Sequence, residues 1–199
     1  MKTRPSTEYA LLGSLMAGPK HGYEIMQFLE EALGDTWRVG TSQLYALLKK
    51  LEGKRLLCST LESQETRPSK RVFSLTPSGK RAFLAWQRRP TRHVRDLRIE
   101  FLAKLFFFHR LPIEGAQDLV ESQIRVLQGV REKIEKKRSG ERDSYNNLVI
   151  AFKMRTIEAW LDWLQREAAP FVSTAPSPGP GKGRSLVSEW PNLPPDPRQ

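Results

Sequence analysis

The sequence predicts a mainly α-helical protein that contains a single β-hairpin. Apolar residues recur every three or four positions through most segments between residues 7 and 168, which is the period of an α-helix. Two short segments, 57–64 and 70–75, break this pattern and carry residues typical of β-strands. These observations together favour a small mixed unit at the N-terminus, followed by a purely helical unit.

Two helices are expected at the start of the chain. The first covers residues 7–17 and stops before Gly18 and Pro19, which do not continue a helix. The second runs from about residue 21 to 33, and Gly34 supplies the left-handed conformation that ends many helices. Both helices are short and close in sequence, so we expect them to pack against each other.

A third helix begins at Thr41 or Ser42. It carries apolar residues at the spacing i, i+3, i+4 and i+7, namely Leu44, Leu47, Leu48 and Leu51. Its opposite face is polar. The helix is therefore expected to bury the leucines and to present its polar side chains outward.

The hairpin and a fourth helix complete the N-terminal unit. A loop at 66–69 joins the two predicted strands, and Thr76 and Pro77 supply the N-cap and the first residue of a helix that Pro90 interrupts. Three helices, a hairpin and a fourth helix is the order of a winged helix-turn-helix domain. We place this predicted DNA-binding domain at residues 1–89.

Residues 90–169 are predicted to form an α-helical dimerisation domain. Helices are expected at 94–110, 113–138 and 144–168. The last of these has two apolar stripes, and because one stripe is enough to pack within a subunit, the second predicts a partner chain and hence a homodimer. Residues 170–199 hold eight of the 14 prolines, which predicts a Pro/Gly-rich disordered tail.

The charge balance favours an anionic partner. The net charge is +11 and the isoelectric point is near 10.0, as expected for a protein that binds nucleic acid, a lipid surface or the ribosome. Cys58 is the only cysteine, so no intramolecular disulfide can form. No apolar run approaches the roughly 20 residues that span a bilayer. We therefore expect a cytoplasmic protein with no membrane partner.

The third helix supplies the first group of candidate DNA-binding residues. Ser42, Gln43, Tyr45 and Lys49 lie on its polar side, where a major groove would accept the helix. Ser42 and Gln43 would face phosphate or base edges, Tyr45 would offer a hydroxyl and a ring face, and Lys49 would neutralise phosphate. The alternative for each residue is an ordinary solvated helix surface.

The hairpin region supplies the second group. Residues 66–92 contain eight lysines or arginines and no acidic residue, whereas a solvated surface normally mixes both signs. The hairpin is the wing of the predicted domain. Its residues Arg67, Lys70 and Arg71 are therefore predicted to bind phosphate, and Arg67 is placed to enter a minor groove. His21 and Tyr23, at the start of the second helix, are further candidates for phosphate contact, although Tyr23 fits equally well as a packing residue.

No cluster of residues predicts catalysis. His21, His93 and His109 are scattered, and the sequence contains no HExxH, GxSxG or glycine-rich nucleotide-binding motif in a suitable context. No spacing typical of metal ligands occurs. We expect a protein that is not an enzyme and that has no cofactor and no metal.

Three stretches of the N-terminal unit form a recognisable set. They are L-G-S-L-M-A-G-P-K-H-G-Y-E-I at residues 12–25, Q-L-Y-A-L-L-K-K-L-E at 43–52, and R-P-S-K-R-V-F-S-L-T-P-S-G at 67–79. In this order and spacing they resemble the PadR family of bacterial transcriptional regulators. The C-terminal part, beginning with E-F-L-A-K-L-F-F at 100–107, is similar to the virulence-activator-like domain of one PadR subgroup.

The resemblance implies a homodimer that reads two half-sites of a pseudo-palindromic operator in double-stranded DNA. Members of this family are usually repressors that small aromatic or other hydrophobic compounds release from DNA, so the resemblance implies the same behaviour here. The chain departs from the family pattern at two places. Thr41-Ser42-Gln43 precedes Leu44-Tyr45 where Gly-Thr-Leu-Tyr is frequent, and Val72-Phe73 replaces the paired tyrosines often found on the second wing strand.

Aromatic residues of the last helix are the candidate effector contacts. Phe152, Trp160 and Trp163 lie near the expected dimer interface, where a planar apolar ligand would stack between helices. Helical core is the alternative for each of them. Two other functions stay open at this stage: a non-specific architectural DNA-binding protein, and an RNA- or protein-interaction module built on the same winged fold.

Overall fold

The computed structural model describes residues 5–33, 39–62 and 70–174. Its helices are α1 Pro5–Ser14, α2 Gly22–Leu33, α3 Thr41–Gly53, α4 Pro77–Gln87, α5 Leu102–Arg110, α6 Ala116–Arg138, α7 Ser144–Trp163 and α8 Ala169–Thr174. Its strands are β1 Lys20–His21, β2 Leu57–Glu62 and β3 Lys70–Leu75. The predicted hairpin loop, which includes Arg67, and the tail beyond Thr174 lie outside the described residues.

The N-terminal elements follow the predicted winged helix-turn-helix order. Helices α1 to α4 and the sheet share one hydrophobic core, to which α1 contributes Leu11 and Leu15, both fully buried. The N-cap of α4 is also as predicted, because Thr76 Oγ1 accepts a hydrogen bond from the backbone N–H of Gly79 at 3.0 Å. The predicted fold class, mainly α with a winged helix-turn-helix domain, is confirmed.

The sheet has one strand more than the hairpin that the sequence predicts. Its order is β1-β3-β2 with both pairs antiparallel, and β1 pairs Lys20 with Phe73 and His21 with Val72. A strand of two residues carries no alternating pattern, so it exists only through its pairing with β3. Because β1 pairs with β3, it holds the start of α2 next to the hairpin.

The C-terminal helices differ from the predicted ones at their starts. The segment 94–110 is not one α-helix but a 3₁₀ turn at Val94–Asp96, a π-helical segment at Leu97–Phe101, and then α5. Helix α6 begins at Ala116 rather than at residue 113, because Gly115 has a φ of 105°, a left-handed conformation outside the α-helix.

The last helical region is longer than predicted. A π-helical segment at Leu164–Ala168 follows α7 and continues into α8, so residues 170–174 of the predicted tail are helical. Pro170 suggested the start of a tail, but it lies in the first turn of α8. Proline has no N–H to donate to the preceding turn, and the π-helical segment directly before it already interrupts the regular i→i−4 hydrogen-bond pattern.

Helix α5 connects the two halves of the molecule. Its residues Ala103 and Phe107 are fully buried in the N-terminal core, whereas Leu105 and Phe108 belong to a second core formed with α6 and α7. The approach of α1 to α5 depends on Gly13, since a Cβ built there would lie 2.4 Å from Cζ of Phe107. The winged domain is therefore packed directly on the C-terminal helices.

Buried polar contacts reinforce this junction. The Lys104 side chain is completely buried, and its ammonium group donates to Glu100 Oε1 at 2.6 Å and to the carbonyl oxygen of Arg89 at 2.8 Å. The amide of Gln123 accepts from and donates to the backbone of Thr91 at 2.6 and 3.0 Å. Burial lowers the pKa of Lys104, and the Glu100 carboxylate opposes that shift.

Substitution of Gly13 by alanine tests the close approach of α1 and α5. We expect Gly13→Ala to destabilise the protein by about 1–3 kcal/mol, because two fully buried rings, those of Phe83 and Phe107, occupy the space of the new methyl group. Gly129→Ala in α6 is the control, since no atom lies within 4 Å of its Cβ position. That change should stabilise by about 0.5–1 kcal/mol. Urea unfolding measures both, and a neutral Gly13→Ala would contradict this packing.

Candidate nucleic-acid interface

The predicted recognition residues lie on the solvent side of α3. All four leucines of the helix are at most 2% exposed, whereas Ser42, Tyr45 and Lys49 are exposed and Gln43 is half-buried. Because positions 42, 45 and 49 are three and four residues apart, their side chains form one stripe along the helix. Burial of the leucine face thus orients a polar stripe toward any partner that docks on this side.

The position of Tyr45 depends on a glycine that sequence reasoning did not single out for this role. A Cβ built on Gly22 would lie only 2.6 Å from the Tyr45 hydroxyl oxygen. The α2 backbone and the tyrosine ring are therefore in direct contact, although 48% of Tyr45 is exposed. A side chain at position 22 would displace the exposed end of Tyr45, so Gly22 of the H-G-Y-E-I stretch permits the observed position of this predicted contact residue.

The start of α2 and the root of the wing form a continuous surface. The rings of His21 and Tyr23 stack with centroids 5.7 Å apart, and the Lys70 ammonium nitrogen lies 5.6 Å from the centroid of the Tyr23 ring. His21 Nδ1 lies 3.3 Å from the carbonyl oxygen of Arg71. The structure thus brings together four of the predicted residues from three elements.

The start of α2 is less available for phosphate than its sequence position suggests. The backbone N–H of His21 donates to the Glu24 carboxylate at 2.6 Å, so this donor already has an acceptor within the chain. Nε2 of His21 also lies 3.5 Å from a carboxylate oxygen of Glu62. Tyr23 is 56% exposed and is the more accessible of the two predicted residues.

The wing strand presents a basic residue beside α3. The Arg71 side chain is 55% exposed, and its guanidinium lies 3.9 Å from the Glu52 carboxylate of α3. Glu52 also accepts a hydrogen bond from Ser59 Oγ on β2. These contacts join α3 to both strands of the hairpin. They hold Arg71 on the same side of α3 as the stripe of Ser42, Tyr45 and Lys49. Arg67 lies outside the described residues.

A second carboxylate contacts α3 from the opposite side. Glu8 of α1 accepts a hydrogen bond from Lys50 Nζ at 2.6 Å and from Lys54 Nζ at 2.7 Å. Burial disfavours the charged form of this carboxyl, but the two ammonium groups outweigh that effect and hold the Glu8 pKa below its ordinary value. Sequence reasoning missed Glu8, because no periodicity or motif links it to lysines more than 40 positions away.

The predicted effector residues are only partly brought together. The Trp160 and Trp163 rings are perpendicular, with centroids 5.6 Å apart, and they line an open apolar depression with Leu102 and two residues of α7, Thr156 and Ala159. Phe152 is not part of this depression and is 71% exposed.

The described residues contain neither a membrane-spanning helix nor a group of side chains suited to a metal ion. No helix in 5–33, 39–62 or 70–174 is long and apolar enough to cross a membrane. Within the same ranges, no group of three or more His, Cys, Asp or Glu side chains has the proximity that a metal ion needs.

The polar α3 stripe beside a basic hairpin defines a winged-helix protein whose surface is suited to DNA, and comparison with known proteins identifies the family. Residues 11–85 match the model of the transcriptional regulator PadR-like family, and residues 97–169 match the virulence activator alpha C-terminal model. The negative transcriptional regulator PadR of Bacillus subtilis is 30% identical over 171 residues, which are 79% of this chain and 93% of that protein. The chain belongs to the PadR-like family of DNA-binding transcriptional regulators.

Other similar proteins cover different shares of the chain. A probable transcriptional regulator of Mycobacterium tuberculosis is 28% identical over 82 residues, 41% of this chain and 43% of that protein. A crystal structure of Bacillus subtilis PadR in complex with operator DNA is 26% identical and covers 85% of this chain and 99% of its own, with a TM-score of 0.44. The same protein in complex with p-coumaric acid is 23% identical and covers 86% and 99%, with a TM-score of 0.38.

Proposed function

We propose that this regulator is a homodimeric repressor in which α3 reads an operator and the wing and the start of α2 contact its phosphates. The observation that carries the proposal is the continuous surface formed by the α3 stripe, Tyr23 and the basic wing strand. The family assignment supports the choice of DNA as partner. The name of the Bacillus subtilis relative, a negative regulator, supports repression.

The docking follows from the two sides of α3. A major groove accepts one helix, and the exposed stripe of Ser42, Tyr45 and Lys49 is the side of α3 that its buried leucines leave for the groove. Lys70 and Arg71 then lie beside the groove, where lysine and arginine contact phosphates without reading sequence. We propose that Tyr45, fixed against Gly22, contributes to base readout.

The homodimer is proposed from an exposed apolar stripe of α7, which shares Phe152 with the second stripe predicted from the sequence. Ile150, Met154, Ile157 and Leu161 form its inner stripe and are at most 7% exposed. Tyr145, Leu148 and Phe152 recur at three and four residues on the outer side and are 66–71% exposed. An apolar stripe of this kind is unfavourable in water, and a second copy of the chain is the partner that the family resemblance implies.

An effector site is proposed at the Trp160 and Trp163 depression, which has a volume of about 530 Å³. Its walls are almost entirely apolar, and the perpendicular indole rings would stack on a planar aromatic compound. The depression adjoins Leu102 at the start of α5, the helix that contacts the winged domain. A ligand there would alter the separation of the two wings in the dimer and lower the affinity for DNA.

Neutralising single cations on the DNA-binding side tests the docking. We expect Lys49→Ala and Arg71→Ala each to reduce the slope of log K against log salt concentration by about 0.9 per bound subunit, because each subunit loses one phosphate contact. Fluorescence anisotropy on a DNA duplex measures the slope. Lys133→Ala, which removes an exposed charge of α6, is the matched control and should leave the slope unchanged. An unchanged slope in both test variants would contradict the docking.

Placing a charge on the outer stripe of α7 tests the dimer. Leu148→Glu and Phe152→Glu should each shift the protein toward monomer, because a carboxylate buried between two apolar faces has no counter-ion there. Sedimentation equilibrium measures the change. Gln128→Glu on the exposed side of α6 is the control and should remain dimeric. If both α7 variants remain stable dimers, the interface lies elsewhere.

Tryptophan fluorescence tests the effector site. A ligand from a panel of phenolic and cationic aromatic compounds should quench the wild-type emission, and the quenching should fall in Trp160→Phe and Trp163→Phe. Trp86→Phe removes an indole of the N-terminal core, outside the proposed site, and should retain the quenching. A panel in which no compound quenches the wild type would argue for a regulator without such a ligand.

A further inference from the structure

Lys50 of α3 and Lys54, the C-cap residue directly after it, are held away from the proposed DNA-binding stripe by a buried carboxylate. Glu8 of α1 is only 11% exposed at its side chain, and each of its oxygens contacts one lysine, Lys50 at 2.6 Å and Lys54 at 2.7 Å. The lysine side chains are 45% and 48% exposed, and their ammonium groups are the atoms that contact Glu8. One carboxylate thus immobilises two cations of the recognition helix.

The position of these lysines makes their engagement relevant to DNA. Lys50 follows Lys49 directly, about 100° further around the helix, and lies seven residues after Gln43 on the same flank. That flank borders the stripe proposed to enter the major groove, whose walls are lined by phosphates. A lysine released there has the reach of its four-carbon stem to contact the backbone of the duplex.

Stability alone does not account for the contact. Helix α1 is already anchored by Ala10, Leu11, Leu12 and Leu15, all completely buried. The two lysines compensate the burial of the Glu8 carboxylate, so a DNA phosphate must compete with a nearly buried anion for each of them. The carboxylate is nevertheless kept ionised, because its two lysines hold its pKa below the ordinary value despite its burial. The contact therefore sets the charge that this flank of α3 presents as well as joining α1 to α3.

We propose that Glu8 is a specificity-determining residue that masks Lys50 and Lys54 and so limits the affinity of the recognition helix for DNA of arbitrary sequence. Non-specific affinity comes almost entirely from phosphate neutralisation, so two masked lysines lower it without touching any base-reading group. Lys49 shows no such carboxylate among the described residues and stays available for phosphate. The inference rests on the proposed docking of α3.

The test measures the salt dependence of binding to a mixed-sequence duplex, which requires no knowledge of the operator. Glu8→Gln should tighten binding and steepen the slope of log K against log salt by about 0.9 for each lysine released, up to about 1.8 per bound subunit. The triple variant Glu8→Gln/Lys50→Gln/Lys54→Gln should return the slope to the wild-type value or below. Thermal unfolding of each variant checks that the fold is retained.

The adjacent lysines of α3 provide a matched pair in which Glu8 is left unchanged. Lys49→Gln should reduce the slope by about 0.9, and Lys50→Gln should reduce it by less than half as much. If Lys49→Gln lowers the slope while Glu8→Gln leaves it unchanged, or if Lys50→Gln matches Lys49→Gln, the masking is refuted and the docking stands. If Lys49→Gln itself has no effect, the docking of α3 fails and the inference fails with it.

Discussion

The proposed DNA-binding surface depends on the burial of the leucine face of α3. Each of its four leucines stabilises the packed arrangement by about 1.5–3 kcal/mol relative to an exposed side chain. Rotation of the helix by one residue, about 100°, would expose some of them and bury Tyr45 or Lys49. The side of α3 that faces a partner is therefore set by apolar packing against α1, α2 and the sheet, before any contact with DNA exists. Polar contacts refine this orientation.

Charge in the winged domain is divided between two uses. Lys49, Lys70 and Arg71 lie on or beside the exposed stripe, where ionic contacts to phosphate are available. Lys50 and Lys54 are instead engaged by Glu8. The net charge of +11 already subtracts the carboxylates and does not say where the cations lie, so their arrangement is more informative than their number. The fully buried Lys104 is a further example, since its ammonium group joins the two cores.

Local patterns predicted most of this architecture. The leucine spacing of α3, the Thr76-Pro77 start of α4 and the hairpin were visible because each depends on residues close in sequence. Strand β1, the contact of Gly22 with Tyr45 and the pairing of Glu8 with two lysines were not, because they arise where distant segments meet. Pro170 was misleading for a different reason. Proline is typical of a tail, but the helix continues through it after the π-helical segment Leu164–Ala168, which no local pattern predicted.

The central claim is that α3 and the wing of two associated subunits read a defined DNA sequence. Selection of binding sites by the full-length protein from a random-sequence DNA pool tests it most directly. The account predicts a pseudo-palindrome whose half-sites are centred about one helical turn apart, roughly 34 Å, or a multiple of it. Recovery of unrelated sequences without a shared motif, together with cooperative binding to any duplex, would contradict the account and indicate an architectural DNA-binding protein.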